Sequence, residues 1–273
     1  MASAFKYTHA VVSRIPNSLK TSINGIVIDL EEAKKQHENY VRVLRELGLD
    51  VIELPPDEQL PWCVFVEDTA VVCNGTALIT RPGDPKRVKE IETIRVVLKK
   101  ELDLPVIEIP DKAARLDGGD VLFTGKEFFV GISQWTNEAG ARAVAAAFPE
   151  YPCTPIKVPC SKHLKAFITM AGPDLLCVGA GKESQEVLKR MEREATFSYQ
   201  TLTLPEDDAA NVLFLNGTLV HRSIDEIPSS FKVLGNKVDF PRRSINISEL
   251  ARTSCGLSSS CILIRRTRHI RNL

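Results

Sequence analysis

The chain carries no net charge: 35 lysines and arginines balance 35 aspartates and glutamates over 273 residues. A neutral chain gives no electrostatic argument for nucleic acid or an anionic membrane as partner. One local excess of positive charge, Arg265, Arg266, Arg268 and Arg271, lacks interleaved aromatic residues and reads as a solvated tail. No apolar run approaches the roughly 18 residues expected of a membrane-spanning helix. The opening MASAFKYTHAVV lacks the basic-then-apolar order of a secretory signal. The seven cysteines include no CxxC pair and no Cys/His pair at zinc-finger spacing. Neither a disulfide framework nor a structural metal is therefore expected, and no cofactor. Asn-Gly-Thr occurs at Asn74 and Asn216; without a signal these read as hairpin turns, and the compartment as cytoplasmic.

What is present is a repeated hairpin. Leu116–Gly131, LDGGDVLFTGKEFFVG, places two short apolar runs either side of Gly125-Lys126, the pattern of two strands joined by a tight turn. The same form recurs in Phe65–Arg81 around Asn74-Gly75, in His163–Gly179 around Gly172-Pro173, and in Asp208–Ser223 around Asn216-Gly217. A last strand begins at Cys261. The polar residues at the mouths, Asp68, Asp117, His163, Asp208 and Cys261, follow one another at intervals of 49, 46, 45 and 53 residues. A period near ~50 residues marks a closed repeat such as a propeller, in which the mouths converge on one axis.

Amphipathic helices lie between the hairpins. Asp29 and Glu32 form a capping box before Ala33, Tyr40, Val41, Leu44 and Leu47. Asp84-Pro85 starts another helix, Asn137–Phe148 a third, and Ser184–Glu194 a fourth. Short strands at Thr8–Arg14, Val51–Leu54, Val106–Ile109, Thr154–Val158 and Thr201–Leu204 complete the units. The fifth unit is the most degraded. The expected class is α/β, one domain over residues 1–273.

A cysteine, a histidine and a carboxylate in one pocket are the parts of an activated thiol nucleophile. Each residue alone has an ordinary explanation: a buried core thiol, a half-buried histidine, a turn-forming aspartate. Their recurrence at the mouths of equivalent units favours the site.

Phe65-Val-Glu-Asp, Leu116-Asp-Gly-Gly-Asp-Val-Leu-Phe-Thr-Gly, His163-Leu-Lys and Cys261 before the last strand closely resemble the dimethylarginine dimethylaminohydrolase family of the pentein superfamily. The resemblance runs from Thr8 to Ile264 and implies a five-fold pseudo-symmetric α/β propeller around a central pocket. It implies hydrolysis of N-methylated arginine to citrulline, without metal or cofactor and with consequences for nitric oxide synthesis. Cys261 would attack the guanidinium carbon to give an S-alkylthiouronium. His163 would protonate the leaving amine and then activate water, with Asp117 orienting it. Glu67 and Asp68 would hold the guanidinium, and Arg87 would lie near the substrate's amino-acid end. The loose segment Lys20–Val27 would be a lid, with Ile23 its contact. The expected partner is a small methylated arginine, and the chain a monomer or homodimer.

Two residues depart from the family pattern. Trp62 stands where the family has an aspartate on the guanidinium, and Trp135 where it has an arginine on the substrate carboxylate. Each exchange removes a charge-assisted contact worth roughly 1.5–3 kcal/mol. Gly256-Leu-Ser-Ser-Ser is one residue longer than the commoner form, which leaves Cys255 as a rival nucleophile. A binding protein with little hydrolysis, an arginine deiminase and the superfamily's non-enzymatic ribosomal factor are the competing readings.

Overall fold

The computed structural model describes residues 4–23, 25–159 and 161–266. Among these residues fifteen strands form five three-stranded sheets. β1 (His9–Ser13) lies between β15 (Ile262–Ile264) and β2 (Asp50–Leu54). β3 (Ala70–Cys73), β4 (Thr76–Ile79) and β5 (Val106–Ile107) form the second sheet, and β6 (Val121–Phe123), β7 (Phe128–Ile132) and β8 (Cys153–Lys157) the third. The fourth is β9 (Ile168–Gly172), β10 (Leu175–Gly179) and β11 (Gln200–Leu204), and the last β12 (Leu213–Leu215), β13 (Thr218–Arg222) and β14 (Arg242–Ile245). Every sheet has one pattern: its central strand is antiparallel to one neighbour and parallel to the other. This is the expected five-fold pseudo-symmetric α/β propeller.

The parallel pairs need crossovers, and helices supply them. Leu30–Glu46 joins β1 to β2, and Glu138–Ala147 joins β7 to β8. Asp29 caps the first by accepting from Glu32 N at 3.1 Å, and Asn137 the second by accepting from Gly140 N at 3.0 Å. Both satisfy an otherwise orphaned amide. The Asp84-Pro85 signal starts only a short 3₁₀ turn, Pro85–Arg87; the helix proper is Glu90–Val96. In the fifth unit a helix, Pro228–Lys237, stands where the sequence offers only scattered apolar pairs. Its buried Ser230 and Leu234 give too sparse a stripe to read by periodicity.

The hairpin turns follow from backbone chemistry. Asn74 and Gly75 have φ of 50° and 75°, and Asn216 and Gly217 of 50° and 82°. Two successive positive φ values give the turn twist that matches a strand pair. In the third hairpin the left-handed residue is Asp174, at φ 58°, after Pro173 rather than at Gly172; aspartate tolerates this region better than most side chains.

Each helix covers its sheet from outside. Val144, Ala147 and Phe148 pack on Phe128 and Val130, with the Phe128 and Phe148 rings stacked at 5.1 Å. Burying each such aliphatic or phenyl group contributes about 1.5–3 kcal/mol, which fixes the blades rigidly around the axis. Among the described residues no helix is long and apolar enough to cross a membrane. Arg268 and Arg271 of the basic cluster lie outside the described residues.

Candidate active site

A 3₁₀ turn stands just ahead of the first strand of every hairpin, and again ahead of β15. These turns are Val66–Thr69, Gly118–Asp120, Leu164–Ala166, Asp207–Ala210 and Leu257–Ser260. Together they form the rim of a cavity of about 280 Å³. Glu67, Asp68, Asp117, Gly119, His163, Asp208, Asn211 and Ser259 reach it from the five turns and their caps. Trp62, Phe65, Arg87, Trp135 and Lys165 complete its principal walls.

The residue directly before each strand does not reach the cavity. Thr69, Asp120, Phe167, Val212 and Cys261 hold this position, and all five are at least 96% buried. Cys261 is therefore a correction to the sequence reading. Its side chain packs in the core with Tyr40, Val12 and Leu257 and lines a second cavity of about 170 Å³, which shares only Glu67 and Lys165 with the first. Burial pushes its thiol up to about 12, against the easing effect of the Tyr40 hydroxyl. Counting back from each strand exposes the missed residue: Glu67 stands three places before β3, and Ser259 three places before β15. That offset was available in the sequence once the strand starts were aligned.

Cys255 does line the cavity. Its thiol donates to Leu250 O at 3.1 Å, and burial pushes it up to about 12. The Ser259 hydroxyl oxygen accepts from Gly256 N at 3.1 Å.

His163 and Asp117 are brought together as expected, with His163 Nε2 and Asp117 Oδ2 at 2.9 Å. Asp117 Oδ1 accepts from Gly83 N at 2.9 Å, which fixes the carboxylate's orientation. Burial alone would lower the His163 pKa, but Asp68, the bonded Asp117 and Asp120 outweigh it and raise the pKa to about 9. At neutral pH the ring is an imidazolium, and a proton donor. Asp120 lies beneath the rim, accepting from Leu164 N at 2.9 Å and from the Ser133 and Thr136 hydroxyls at 2.7 Å. It thereby anchors the turn that carries His163. Gly119 is required here: a Cβ would stand 2.8 Å from His163 Nδ1 and 2.9 Å from Asp68 Oδ1.

The two carboxylates expected to hold the guanidinium, Glu67 and Asp68, lie in the cavity already partnered. Asp68 Oδ2 is 2.6 Å from Arg87, and Glu67 Oε2 is 2.8 Å from Lys165. Arg87 also binds Glu90 at 2.9 Å and Phe65 O at 2.8 Å. Burial would raise the Asp68 pKa, but His163 and Arg87 hold it below the ordinary value. Asp68, Asp117 and His163 offer possible metal-ligand atoms within 4.8 Å of one another, but they are already engaged, Asp68 with Arg87 and Asp117 with His163. Trp135 lies against His163, ring centroids 4.5 Å apart, and Trp62 against Phe65 at 5.7 Å. Ile23 is a second correction. It is 4% exposed and packs with Leu19, Ile28, Val64 and Phe65 rather than lining the cavity. As a branched apolar side chain it gains more from that cluster than from a polar rim.

Residues 12–195 match the family described as N,N dimethylarginine dimethylhydrolase, eukaryotic. The chain is 38% identical to a Homo sapiens protein named "Putative hydrolase DDAH2", covering 96% of each. It is 33% identical to the N(G),N(G)-dimethylarginine dimethylaminohydrolase of Streptomyces coelicolor, over 75% of this chain and 76% of that one. Among solved structures it superposes on the Pseudomonas aeruginosa enzyme of that kind, a cysteine-to-serine variant complexed with citrulline. The TM-score is 0.82 at 24% identity, over 95% of this chain and 100% of that one.

Proposed function

Since the chain belongs to the eukaryotic N,N-dimethylarginine dimethylhydrolase family, we propose that its cavity binds an N-methylated guanidinium compound and hydrolyses the amidino C–N bond. Products would be the free amine and a citrulline-like urea. The observation that carries this reading is the His163–Asp117 pair, at 2.9 Å, held protonated beside Asp68 in a cavity walled by tryptophan. A general acid is what an alkylamine needs to leave, since the departing nitrogen must take up a proton.

In this reading the thiol first loses its proton to solvent, the thiolate sulfur adds to the guanidinium carbon, the C–N bond to the amine breaks, and His163 transfers its proton to the departing nitrogen. Neutral His163 then takes a proton from water as the oxygen adds to carbon, and the C–S bond breaks. Among the described residues the thiol that lines the cavity is Cys255, while Cys261 lies beneath the rim. With its thiol near 12, Cys255 is almost wholly protonated at neutral pH, so turnover is slow unless the bound cation stabilises the thiolate.

A second reading has its own observation. The rim position three before β15 carries the Ser259 hydroxyl, which does not ionise at neutral pH. A protein with an intact acid and no thiol at that position binds guanidinium compounds without turning them over. Amine and citrulline release from asymmetric dimethylarginine, monomethylarginine and arginine separates the two. Under the hydrolase reading the wild type releases amine, Cys255→Ser does not, and Cys261→Ser retains the rate. A silent wild type that gains activity in Ser259→Cys establishes the binding reading.

A further inference from the structure

Resting on that reading, we propose that the cavity selects methylated guanidinium compounds whose carboxylate is absent or blocked, such as a decarboxylated or amidated arginine derivative, over free amino acids. The chain has only two tryptophans, and both line this cavity. A tryptophan face attracts a guanidinium or methylated cation by roughly 0.5–2 kcal/mol, and offers an anion nothing comparable. The walls thus complement an alkylated cation and apolar substituents upon it.

The cations of the lining are committed to internal carboxylates. Arg87 is 11% exposed and joined to Asp68, Glu90 and Phe65 O. Lys165 holds Glu67 at 2.8 Å. Arg222 binds Glu226 at 2.7 Å, with the two side chains 8% and 7% exposed. Drawing any of them to a substrate carboxylate would leave a half-buried or buried acid without its partner, which is unfavourable. Lys162 is the exception: it lines the cavity, is exposed and makes no ion pair among the described residues. A solvated lysine contributes little to a carboxylate, about 0–1 kcal/mol.

Trp135 is built into the wall. Its amide donates to Ser133 Oγ at 3.1 Å, and its ring lies on His163. Gly83 packs so closely that a Cβ there would come within 2.3 Å of the Trp135 carbonyl oxygen. The same Gly83 amide bonds Asp117, so the tryptophan segment and the acid pair share one support. Trp135 thereby presents a fixed apolar surface beside His163.

Isothermal calorimetry with asymmetric dimethylarginine, its C-terminal amide and its decarboxylated analogue tests the proposal on the intact chain. The two carboxylate-free compounds are expected to bind at least tenfold more tightly than the free acid. Trp135→Arg should erase or reverse that preference, and Trp135→Phe, which keeps an apolar ring, should retain it. Free acid binding as tightly as its amide in the wild type overturns the proposal, and loss of that affinity in Lys162→Ala would identify the clamp. Failure of all three compounds to bind overturns the guanidinium reading itself, a different result from lost selectivity.

Discussion

The turns at 164–166 and 257–260 occupy corresponding places in the propeller, yet one carries charge and the other only hydroxyls. His163, capping the first, is surrounded by Asp68, Asp117 and Asp120, which together raise it to about 9. In the second, Ser258 exchanges hydrogen bonds with Asn211 at 2.8 Å and Ser259 accepts from its own turn. The first turn spends its hydrogen bonds on orienting an acid; the second spends them on holding itself closed. A repeated fold therefore supplies repeated positions, while the chemistry at each depends on which neighbours aim at it.

The sharpest way to break the comparison is to remove the acid. Under the hydrolase reading, His163→Ala should lower turnover by at least 100-fold, the usual range for a positioned general acid. Asp117→Asn should lower kcat more than it raises KM, because the ring loses orientation and charge support rather than substrate contact. A change confined to KM would make Asp117 a binding residue.

Giving the second turn a reactive group is the reverse experiment. Ser259→Cys should raise amine release at least tenfold, if a thiol at that rim position is what the site lacks. An unchanged rate in Ser259→Cys, with loss in Cys255→Ser, would place the nucleophile at Cys255.

The pH profile probes the acid's environment. His163 is raised from the ordinary 6.5 to about 9, so the folded state binds its proton more tightly than the unfolded chain does. The associated stability is fully present below about 6.5 and is lost as pH rises through about 9. Activity dependent on the imidazolium should fall above the same upper value, and Trp135→Arg, adding a cation beside the ring, should move that limb downward. Thermal melts and rate profiles between pH 6 and 10 check both signs.

The smallest effect is expected beneath the rim. Cys261→Ala should leave any catalytic rate unchanged while costing about 1–2 kcal/mol of stability, a shift of a few degrees in Tm. A lost rate with an unchanged melt would return Cys261 to the site.

Much of this arrangement was legible because hairpins announce themselves locally. Asn74-Gly75 and Asn216-Gly217 carry their turn type in two residues, and Asp29 and Asn137 announce their helices. Asp117 and His163 were found because their neighbours repeat. Cys261 was misplaced because sequence spacing locates a strand start but not the depth of a side chain beneath it. A slip of two residues separates a buried thiol from the half-buried, cavity-lining Ser259 position. Nor does sequence reveal that Arg87 is shared among Asp68, Glu90 and Phe65 O, since only Glu90 is a near neighbour in the chain and the other two lie 19 and 22 residues away.

The pairing of β1 with β15, His9 opposite Ile264 through Val11 opposite Ile262, closes the ring by joining the first strand to the last. During synthesis the first strand must wait for the last, and the turn bearing Ser259 is the final part of the rim to be made. A nascent chain stalled before residue 257 would hold His163, Asp117 and Asp68 around an open-sided basin rather than a cavity. Ligand binding is thus tied to synthesis of the last strand, and the same closure, which sets the first and last strands side by side, makes this protein a natural subject for circular permutation: a cut at the Asn216-Gly217 turn would leave every sheet intact.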